Sequence, residues 1–489
     1  MKKITFCLTF VLLSLVSGGC RKQSAEPVAD RFTQLTDSIV AQIETPVFAD
    51  AEWVFQEEAD DDGWHLAKLQ ALIDTCSAQG GGTVTVRPGL YRLNGSLWLR
   101  SRVNLHLDEG ATLQFSGRAD DFLPVVPTRW EGTDLLGRSP MVYADGAEDI
   151  ALTGRGTIDA QGSLEMAAWG MVPGESSFAE NVHGTHGETV EMNDVRRLRA
   201  IGTPDDSTQY VPLRERVFGE GTFLRPCAVE FRNCRRVLIQ DITLLDSPFW
   251  CIHPLYSQHV TVRGMTIRSH NPNNDGCDPE SSANVLIEGC TFQTGDDAVA
   301  IKSGRDLDGR RVGIPSENIV IRNCLFQSEC NGLCIGSEMS GGVSSVFADS
   351  IRIGTVKNGL LFKSNKDRGG YIRNVWVRNV TLDRAQGAIL RFENNYFGYR
   401  GGNEPAQYED FCIEGVKAGR ADSYAIYFDG LEELPMRHIR VSGFEADSAA
   451  RACYLFHVTD YRFTDCRVNG ETLPEVPELS AERQMCDVW

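Results

Sequence analysis

One short pattern of alternating residues recurs through the second half of this chain, and few folds can accommodate it. The clearest copies are RVLIQDITL from Arg236, HVTVRGMTI from His259, NVLIEGCTF from Asn284, NIVIRNCLF from Asn318 and NVWVRNVTL from Asn374. Within each copy, apolar or β-branched residues alternate with polar ones, which is the period of a β-strand. A Gly, Asn or Asp usually follows the first strand, as a tight corner requires.

The spacing of the copies indicates how these strands stack. Looser copies are DIALTGRGTI from Asp149, SIRIGTV from Ser350 and HIRVSGFEA from His438, and the starts from Arg236 to Asn374 are 23, 25, 34, 32 and 24 residues apart. A β-propeller has a longer repeat of about 40–50 residues, and a β-sandwich would not keep one register. The pattern therefore predicts an all-β protein, a parallel β-helix whose coils stack about 4.8 Å apart.

Features upstream and downstream of the repeats set the expected boundaries of the domain. Trp64 to Cys76 is typical of one amphipathic helix, which would cap the open end of the solenoid as repeat proteins require. NLHLDEGATL from Asn104 resembles another pair of coil strands. We predict a β-helix over residues 51–470 with a C-terminal tail over 471–489. Residues 161–221 lack repeat strands, which predicts a long excursion able to wall a cleft.

The first 20 residues form the pattern of an export signal. Lys2 and Lys3 precede an apolar run over residues 4–16, and small residues then lead to Cys20. This end resembles a bacterial lipoprotein signal, in which the cysteine becomes the lipidated first residue, and residues 21–50 would then be a tether. Plain secretion and a retained hydrophobic helix are the alternatives. The expected location is the periplasm or the outer membrane of a bacterium, and otherwise the outside of the cell.

Charge and cysteine content narrow the possible partners. The formal net charge of −19 argues against nucleic acid, because affinity for phosphates comes from Lys and Arg. It argues only weakly against an acidic polymer, since a local basic patch can outweigh distant charges that salt screens. Cys290 and Cys324 occupy the same place in two repeats, which predicts stacked, buried side chains. No cysteine or histidine spacing suggests zinc, and we predict no metal site and no cofactor.

Three aspartates form the strongest candidate for chemistry. Asp275 lies in NPNNDGCDPES, and Asp296 with Asp297 lies 21 residues later in TGDDAVAIKSGRDLDGR. That distance is close to one coil, so the three carboxylates should meet on neighbouring coils, where mutual repulsion raises at least one pKa. A protonated carboxyl can then act as an acid while an ionised neighbour activates water. Two alternatives remain, in which these residues only form turns or bind calcium.

The same segments resemble glycoside hydrolase family 28, the polygalacturonase-like pectinases, from about Trp64 through about His438. The most specific segments are NNDGCDPES, GDDAVAIKSGRDLDGRRVGIPSENIVIRNC, IGSEMSGGV and FKSNKDRGG, and VFGEGTFLRP and SPFWCIHP are similar to the bacterial exo-acting subset. The resemblance implies a right-handed β-helix that cleaves with inversion. It also implies that Asp296 is the general acid and that Asp275 and Asp297 activate water, with carboxyls about 6.5–9.5 Å apart.

Two positions depart from the family pattern. Cys330 stands where the histidine of a Gly-His-Gly stretch is expected, and Leu361 stands where an arginine normally clamps the sugar carboxylate. We therefore predict other substrate-binding residues, which are Lys302, Lys363, Arg368, Arg305, Arg225 and Glu338. Further candidates for lining the site are Trp250, His253, Asn394, Asn395, Tyr396 and Tyr399.

Taken with the resemblance, the sequence predicts an inverting, exo-acting hydrolase of α-linked galacturonic acid or related pectic glycosides. The expected partner is a pectic oligosaccharide or polysaccharide, and membrane contact is expected only through a lipid at Cys20. Two alternatives stay open, a calcium-dependent enzyme like the pectate lyases and a glycan-binding β-helix without catalysis.

Overall fold

Parallel strands in three stacks wind around one long core, so the predicted parallel β-helix is confirmed. The computed structural model describes residues 28–57, 63–171, 189–202 and 210–484, and the predicted signal segment lies outside these ranges.

Each coil contributes one strand to each stack. The first stack consists of Glu52–Phe55, Gly82–Val86, Val103–Leu107, Glu148–Gly154, Arg235–Gln240, Gln258–Arg263, Ala283–Glu288, Ser316–Arg322, the first parts of Val343–Val356, Tyr371–Ala385 and Gln407–Asp429, then Met436–Ser442 and Val458–Thr464. The second consists of Gly89–Leu93, Ala111–Phe115, Thr157–Asp159, Thr243–Leu245, Thr266–Ser269, Thr291–Thr294, Leu325–Ser328, later parts of the same three long strands, the first part of Glu445–Phe456, and Arg467–Val468.

The third stack carries the candidate site. It consists of Leu97–Trp98, Val142–Asp145, Val229–Arg232, Ile252–Leu255, Val299–Ile301, Asn331–Ile335, Asn358–Lys363, Ala388–Glu393, and the last parts of Gln407–Asp429 and Glu445–Phe456. Single bridges at Cys277 and Glu280 continue the stack between Ile252–Leu255 and Val299–Ile301.

A left-handed residue starts each repeat and explains its sequence. His259, Asn284 and Asn318 all have φ of 56°, a region that asparagine enters more readily than most residues. The Asn318 side chain also donates a hydrogen bond to Asn284 Oδ1 at 3.1 Å, which links successive coils. The repeat predicted to start at Ser350 starts instead at Ser345. Ser345 also has φ of 56°, and it pairs with Asn374, which starts the next repeat.

Helices cover the end and one outer face of the β-helix. The predicted capping helix is α2, Leu66–Ala78, which buries Leu69 and Ile73 on the first coils. α1, Val28–Gln42, lies within the interval expected to be a tether, and Phe32 packs there among apolar side chains on the outside of the first stack. Residues 28–42 are therefore a docked helix, which corrects that expectation.

The excursion contains small elements outside the three stacks. They are α3 at Met192–Gly202, short 3-10 turns at Gly162–Leu164, Met166–Gly170 and Leu213–Glu215, and Val217–Phe218, which joins a small sheet with Val126–Trp130 and Thr133–Gly137. The remaining elements are a 3-10 turn at Ala119–Phe122, α4 at Asp306–Val312, and Glu471–Thr472, which pairs antiparallel with Arg467–Val468.

The described cysteines are all free, and Cys290 and Cys324 are buried. Among the described residues, no helix combines the length and apolar character needed to cross a membrane.

The docking of α1 can be tested at Phe32. Phe32→Ala removes a ring that packs edge-on to Phe347 at 5.8 Å between centroids, so we expect docking to weaken by about 3 kcal/mol. Hydrogen exchange should accelerate in α1 while the coils stay protected, since the helix contributes little to the core. The exposed Gln34→Ala is the control, and unchanged exchange in Phe32→Ala would contradict the docking.

Candidate active site

The three aspartates lie on two adjacent coils, each just before the segment that its coil contributes to the third stack. Cys277 pairs with Val299, so Asp275 is level with Asp297, and the Gly276 N–H donates to the Asp297 carbonyl at 2.9 Å. All three carboxylates are buried. The structure thus brings them together as the sequence spacing predicted, because in-register coils turn a one-coil offset into direct neighbours.

Asp297 is held in its ionised form. Lys363 Nζ lies 2.8 Å from Oδ2, and Asn331 donates to Oδ1 at 2.6 Å. Burial alone would raise the pKa of Asp297, but the positive charges of Lys363 and Lys302 and these hydrogen bonds outweigh it and hold the pKa below its usual value. Asp297 is therefore suited to accept a proton.

Asp296 has the opposite tendency. Burial, followed by the negative charge of Asp297, raises the pKa of Asp296 to about 6. The Asp297 N–H donates to its Oδ1 at 2.9 Å, and within the described ranges no side chain donates to this carboxylate. Two adjacent carboxyls thus have pKa values driven apart by their surroundings, which is how one site obtains both an acid and a base.

Asp275 resembles Asp296 in that its pKa lies well above the usual value, although a lysine is bound to it. Burial raises its pKa, the nearby aspartates raise it further, and Lys302, whose Nζ is 3.1 Å from Oδ2, opposes both. Asp278 shares the same face and is fully buried, and neither of its carboxylate oxygens has a hydrogen-bond partner among the described residues. Burial, and then the charge of Asp275, raises the pKa of Asp278 as well.

Four of the predicted substrate-binding residues form one charged cluster. Glu338 contacts Lys302 at 3.6 Å, Arg305 at 3.3 Å and Arg368 at 3.9 Å. Burial would raise the pKa of Glu338, but these three cations keep it below its usual value. Arg368 is further held by an ion pair with Asp306. The cluster therefore positions Lys302 beside Asp275, and Glu338 stays ionised within it.

Arg225 does not belong to this cluster. Its five N–H groups are all used within the protein: two bind Glu191 at 2.8 Å each, and the others bind the Pro248 and Pro272 carbonyls and the Asn273 side chain. No donor remains for a substrate carboxylate. We therefore assign Arg225 a structural role, which corrects the expectation that it binds substrate.

The residue at the expected histidine position is Asn331. The family stretch has its histidine in the middle, and the middle residue here is Asn331, which contacts Asp297, whereas Cys330 is its buried neighbour. Asn331 Oδ1 accepts hydrogen bonds from the backbone and side-chain N–H groups of Asn358 at 3.1 and 2.8 Å. Because Oδ1 is occupied, the Nδ2 donor of Asn331 must face Asp297.

Two of the further residues predicted to line the site, Trp250 and His253, are packed inside the protein. Trp250 stacks on Phe249 with centroids 4.9 Å apart, and Lys302 Nζ lies 4.5 Å from its ring centroid. His253 is fully buried between Glu230 and Glu280, and its ring nitrogens lie 3.0 Å from each carboxylate. Neither side chain offers an open surface to a sugar.

The loop candidates differ among themselves. Tyr396 is near the site, since Lys363 Nζ lies 5.3 Å from its ring centroid, whereas Tyr399 is exposed and donates to the Gly402 carbonyl. Asn394 is fully buried and donates to the Ala406 carbonyl, which makes it a structural residue.

The excursion forms a wall beside the coils that carry the three aspartates. Val195 and Leu198 of α3 belong to an apolar cluster with Trp130, Phe249 and Trp250. Arg199 of α3 also binds Glu131 at 3.1 Å, and Glu131 in turn binds Arg305 at 3.1 Å. Apolar and ionic contacts thus fix this wall against the site.

The C-terminal tail crosses the other end of the same face. Tyr427 and Tyr454 follow Leu361 and Arg391 in one row of the third stack. Tyr427 donates to the Gln484 carbonyl at 2.8 Å, and the Gln484 N–H donates to Tyr454 Oη at 2.9 Å. The face that carries the aspartates is therefore bounded in both directions along the β-helix axis.

Two residues at the site were not predicted from the sequence, although the sequence contains signals for both. Asp278 follows Asp275 by three residues in NNDGCD, and strand alternation places it outward, opposite the inward Cys277. Asn331 was readable as the middle of the histidine stretch.

Known proteins resemble this chain over most of its length. The profile of Glycosyl hydrolases family 28 matches residues 220–459. The solved structure of a hyperthermoactive exopolygalacturonase from Thermotoga maritima has a TM-score of 0.81 at 33% identity, over 90% of this chain and 96% of that one. The right-handed parallel β-helix predicted from the sequence is thereby confirmed.

Curated relatives agree with the profile. A probable polygalacturonase from Vitis vinifera is 29% identical over 77% of this chain and 69% of its own length. An exo-poly-alpha-D-galacturonosidase from Dickeya chrysanthemi is 25% identical over 74% of this chain, which spans 61% of that relative.

The contact between Asn331 and Asp297 predicts a loss of stability that persists into the acid range. Asn331→Ala removes a hydrogen bond to a buried charge and should lower the free energy of unfolding by about 1.5–3 kcal/mol at pH 7. Wild type and variant share the same unfolded state, so the difference between them should persist until the pH approaches the lowered native pKa of Asp297, well below pH 4. Urea unfolding at pH 7 and pH 3 measures it.

Asn318→Ala is the matched control, because it breaks a neutral asparagine contact on another corner of the coil. Its effect should not change with pH. An Asn331→Ala deficit that is already lost at pH 3 would contradict a pKa of Asp297 held below its usual value.

Proposed function

Because this chain belongs to glycosyl hydrolases family 28 and is a glycoside hydrolase, we propose that it releases galacturonic acid from the ends of pectic chains. The observation that carries the proposal is the buried pair in which Asp296 is readily protonated and Asp297 stays ionised. Related pectic glycosides with an α-linked galacturonate belong to the same substrate class.

The pair divides the reaction between its members. Asp296 donates its proton to the glycosidic oxygen as the bond from that oxygen to the anomeric carbon breaks. Asp297, assisted by Asp275, accepts a proton from the water that attacks the same carbon. The leaving sugar gains the proton of Asp296, and the proton taken from water recharges the pair, so the overall reaction consumes one water.

Inversion is part of the proposal. An oxygen of Asp296 and one of Asp297 lie within 4.8 Å of each other, which is closer than the range of about 6.5–9.5 Å usual across inverting sites. Asp275, one coil away and paired with Lys302, widens the set of carboxylates available to hold water. The product anomer measures the outcome directly.

Exo action is supported by the shape of the site. The α3 wall lies on one side of the catalytic coils, and the tail crosses the same face on the other. A polymer meeting such a bounded face can place a chain end in it more easily than an internal segment. Two of the relatives reported above are named as exo-acting enzymes.

A calcium-dependent lyase is the second candidate, and the charges at the site disfavour it. Calcium binds six to eight oxygen ligands, whereas lysine ammonium groups already occupy Asp275 and Asp297. An ion there would have to displace both cations or meet their repulsion.

Product analysis on oligogalacturonides tests the proposal. Wild type should release monomeric galacturonate from the first time points, and NMR should show the β-anomer first because inversion changes the α-linkage. Asp296→Asn should lower kcat by at least about a thousandfold, since it keeps the shape but removes the proton. With a pKa of about 6 for Asp296, kcat/KM should fall as the pH rises past that value.

Other outcomes separate the alternatives. Products that absorb in the ultraviolet and disappear with a chelator would indicate a lyase, and binding without turnover would indicate a glycan-binding protein. A ladder of intermediate sizes at early times would contradict exo action. Full activity in Asp296→Asn would remove the role assigned to Asp296.

We also propose that the protein is exported and lipidated at Cys20, on the basis of the charged, apolar and small-residue segments of residues 1–20. In a bacterial host, wild type should partition into detergent with the membrane fraction. Cys20→Ala should leave the protein out of that fraction, because it lacks the acceptor thiol. Equal partitioning of both proteins would contradict the anchor.

A further inference from the structure

We infer that Lys357 binds the carboxylate of the substrate unit beside Asp296 and selects an acidic sugar there, an inference that rests on the proposed function. Lys357 immediately precedes the strand Asn358–Lys363. Because Asp297, Asn331 and Asn358 are successive partners in one row, the residues before them also share a row. That second row is Asp296, Cys330 and Lys357, so Lys357 lies two coils, about 10 Å, from the acid.

Lys357 is an exception among the buried cations of the described chain. Ten Lys and Arg side chains there are 9% exposed or less, and nine of them form an ion pair with a carboxylate. Lys357 is 9% exposed, and within the described ranges its ammonium has neither an ion pair nor a hydrogen bond to the protein.

An ammonium without a counter-charge on a largely buried side chain is unfavourable, and an anionic ligand would supply the missing charge. The charge of Lys357 already reaches the catalytic row. Burial raises the pKa of Asp296, and Lys357 is among the cations that oppose this increase. The same charge opposes the increase that burial causes in the pKa of Cys330. A carboxylate near Lys357 would therefore lie next to the acid that protonates the glycosidic oxygen.

The environment of Leu361 explains why this cation matters here. Leu361 packs with Ala300 and Cys334 in a small apolar cluster, where the family pattern has an arginine. The middle of the strand thus offers a substrate no positive charge. Lys357 supplies one four residues earlier, on the edge of the face that holds Asp296. Recognition of the sugar carboxylate is displaced from the floor of the site to this edge.

Lys302 and Lys363 are less suited to this task. Each is bound to a catalytic aspartate, Asp275 and Asp297 respectively. Moving either lysine onto a substrate carboxylate would leave the bound aspartate without its ion pair. The pKa separation on which the proposed reaction depends would then be disturbed. Lys357 has no such contact to lose, so it can bind substrate without altering the ion pairs of the acid and base.

The test compares Lys357→Gln with wild type on an oligogalacturonide and on the same oligosaccharide reduced to neutral galactose units. Loss of a charge-assisted contact should lower kcat/KM on the acidic substrate at least about tenfold, mainly through KM. Activity on the neutral substrate should be unchanged. Lys417→Gln is the control, since Lys417 is an exposed lysine on the second stack, and it should leave both substrates unaffected.

Two further readouts separate binding from a structural role. The melting temperature of Lys357→Gln should be unchanged or higher, because no protein contact is lost. The alkaline limb of its kcat/KM profile should move to higher pH, because removing a positive charge raises the pKa of the proton donor Asp296. A lower melting temperature together with an unchanged alkaline limb of the kcat/KM profile would show that Lys357 has only a structural role.

The inference is overturned if Lys357→Gln loses activity equally on both substrates or keeps full activity on the acidic one. If wild type hydrolyses neither substrate, the proposed function fails, and calorimetry with galacturonate and galactose then decides the role of Lys357. A preference for galacturonate in wild type that Lys357→Gln lacks would support the site. Equal binding of both sugars to wild type would overturn it.

Discussion

In-register stacking of parallel coils brings together residues that are far apart in the sequence of this protein. Each coil places equivalent residues about 4.8 Å from those of its neighbours, so a sequence offset of one coil becomes a side-chain contact. Asp275 and Asp297 meet in this way, and so do Asn331 and Asn358. The left-handed corners at residues such as Asn284 and Asn318 keep the register.

Stacking also places like charges together, and the site balances them with buried cations. Each of two aspartates has its own lysine, Lys302 for Asp275 and Lys363 for Asp297, while Asp296 has none at hydrogen-bonding distance. This asymmetry separates the pKa values of Asp296 and Asp297. The separation of these pKa values therefore depends on the placement of the two ammonium groups as well as on the burial of the carboxylates.

Local sequence determined much of this architecture, and the parts it missed depend on long-range register or docking. The repeats, the capping helix and the aspartate row were predictable because strand periodicity and coil length are evident from the local sequence pattern. The repeat start predicted at Ser350 was wrong because Val343–Val356 is one continuous strand across a corner, so either half resembles a repeat start. The helix at Val28–Gln42 could not be predicted because it docks on apolar residues outside the coil. The structural role of Arg225 could not be predicted because two of its N–H donors bind Glu191 in the excursion.

The C-terminal tail across Tyr427 and Tyr454 has a consequence for how a polymer solution would change during digestion. Under the proposed exo action, α3 at one side and the tail at the other would keep a long chain from sliding along the face from coil to coil. Each hydrolysis would then shorten a molecule by one end unit, and the initial rate would follow the number of chain ends rather than the mass of polymer. Viscosity, which depends on chain length, would fall slowly while free sugar accumulates.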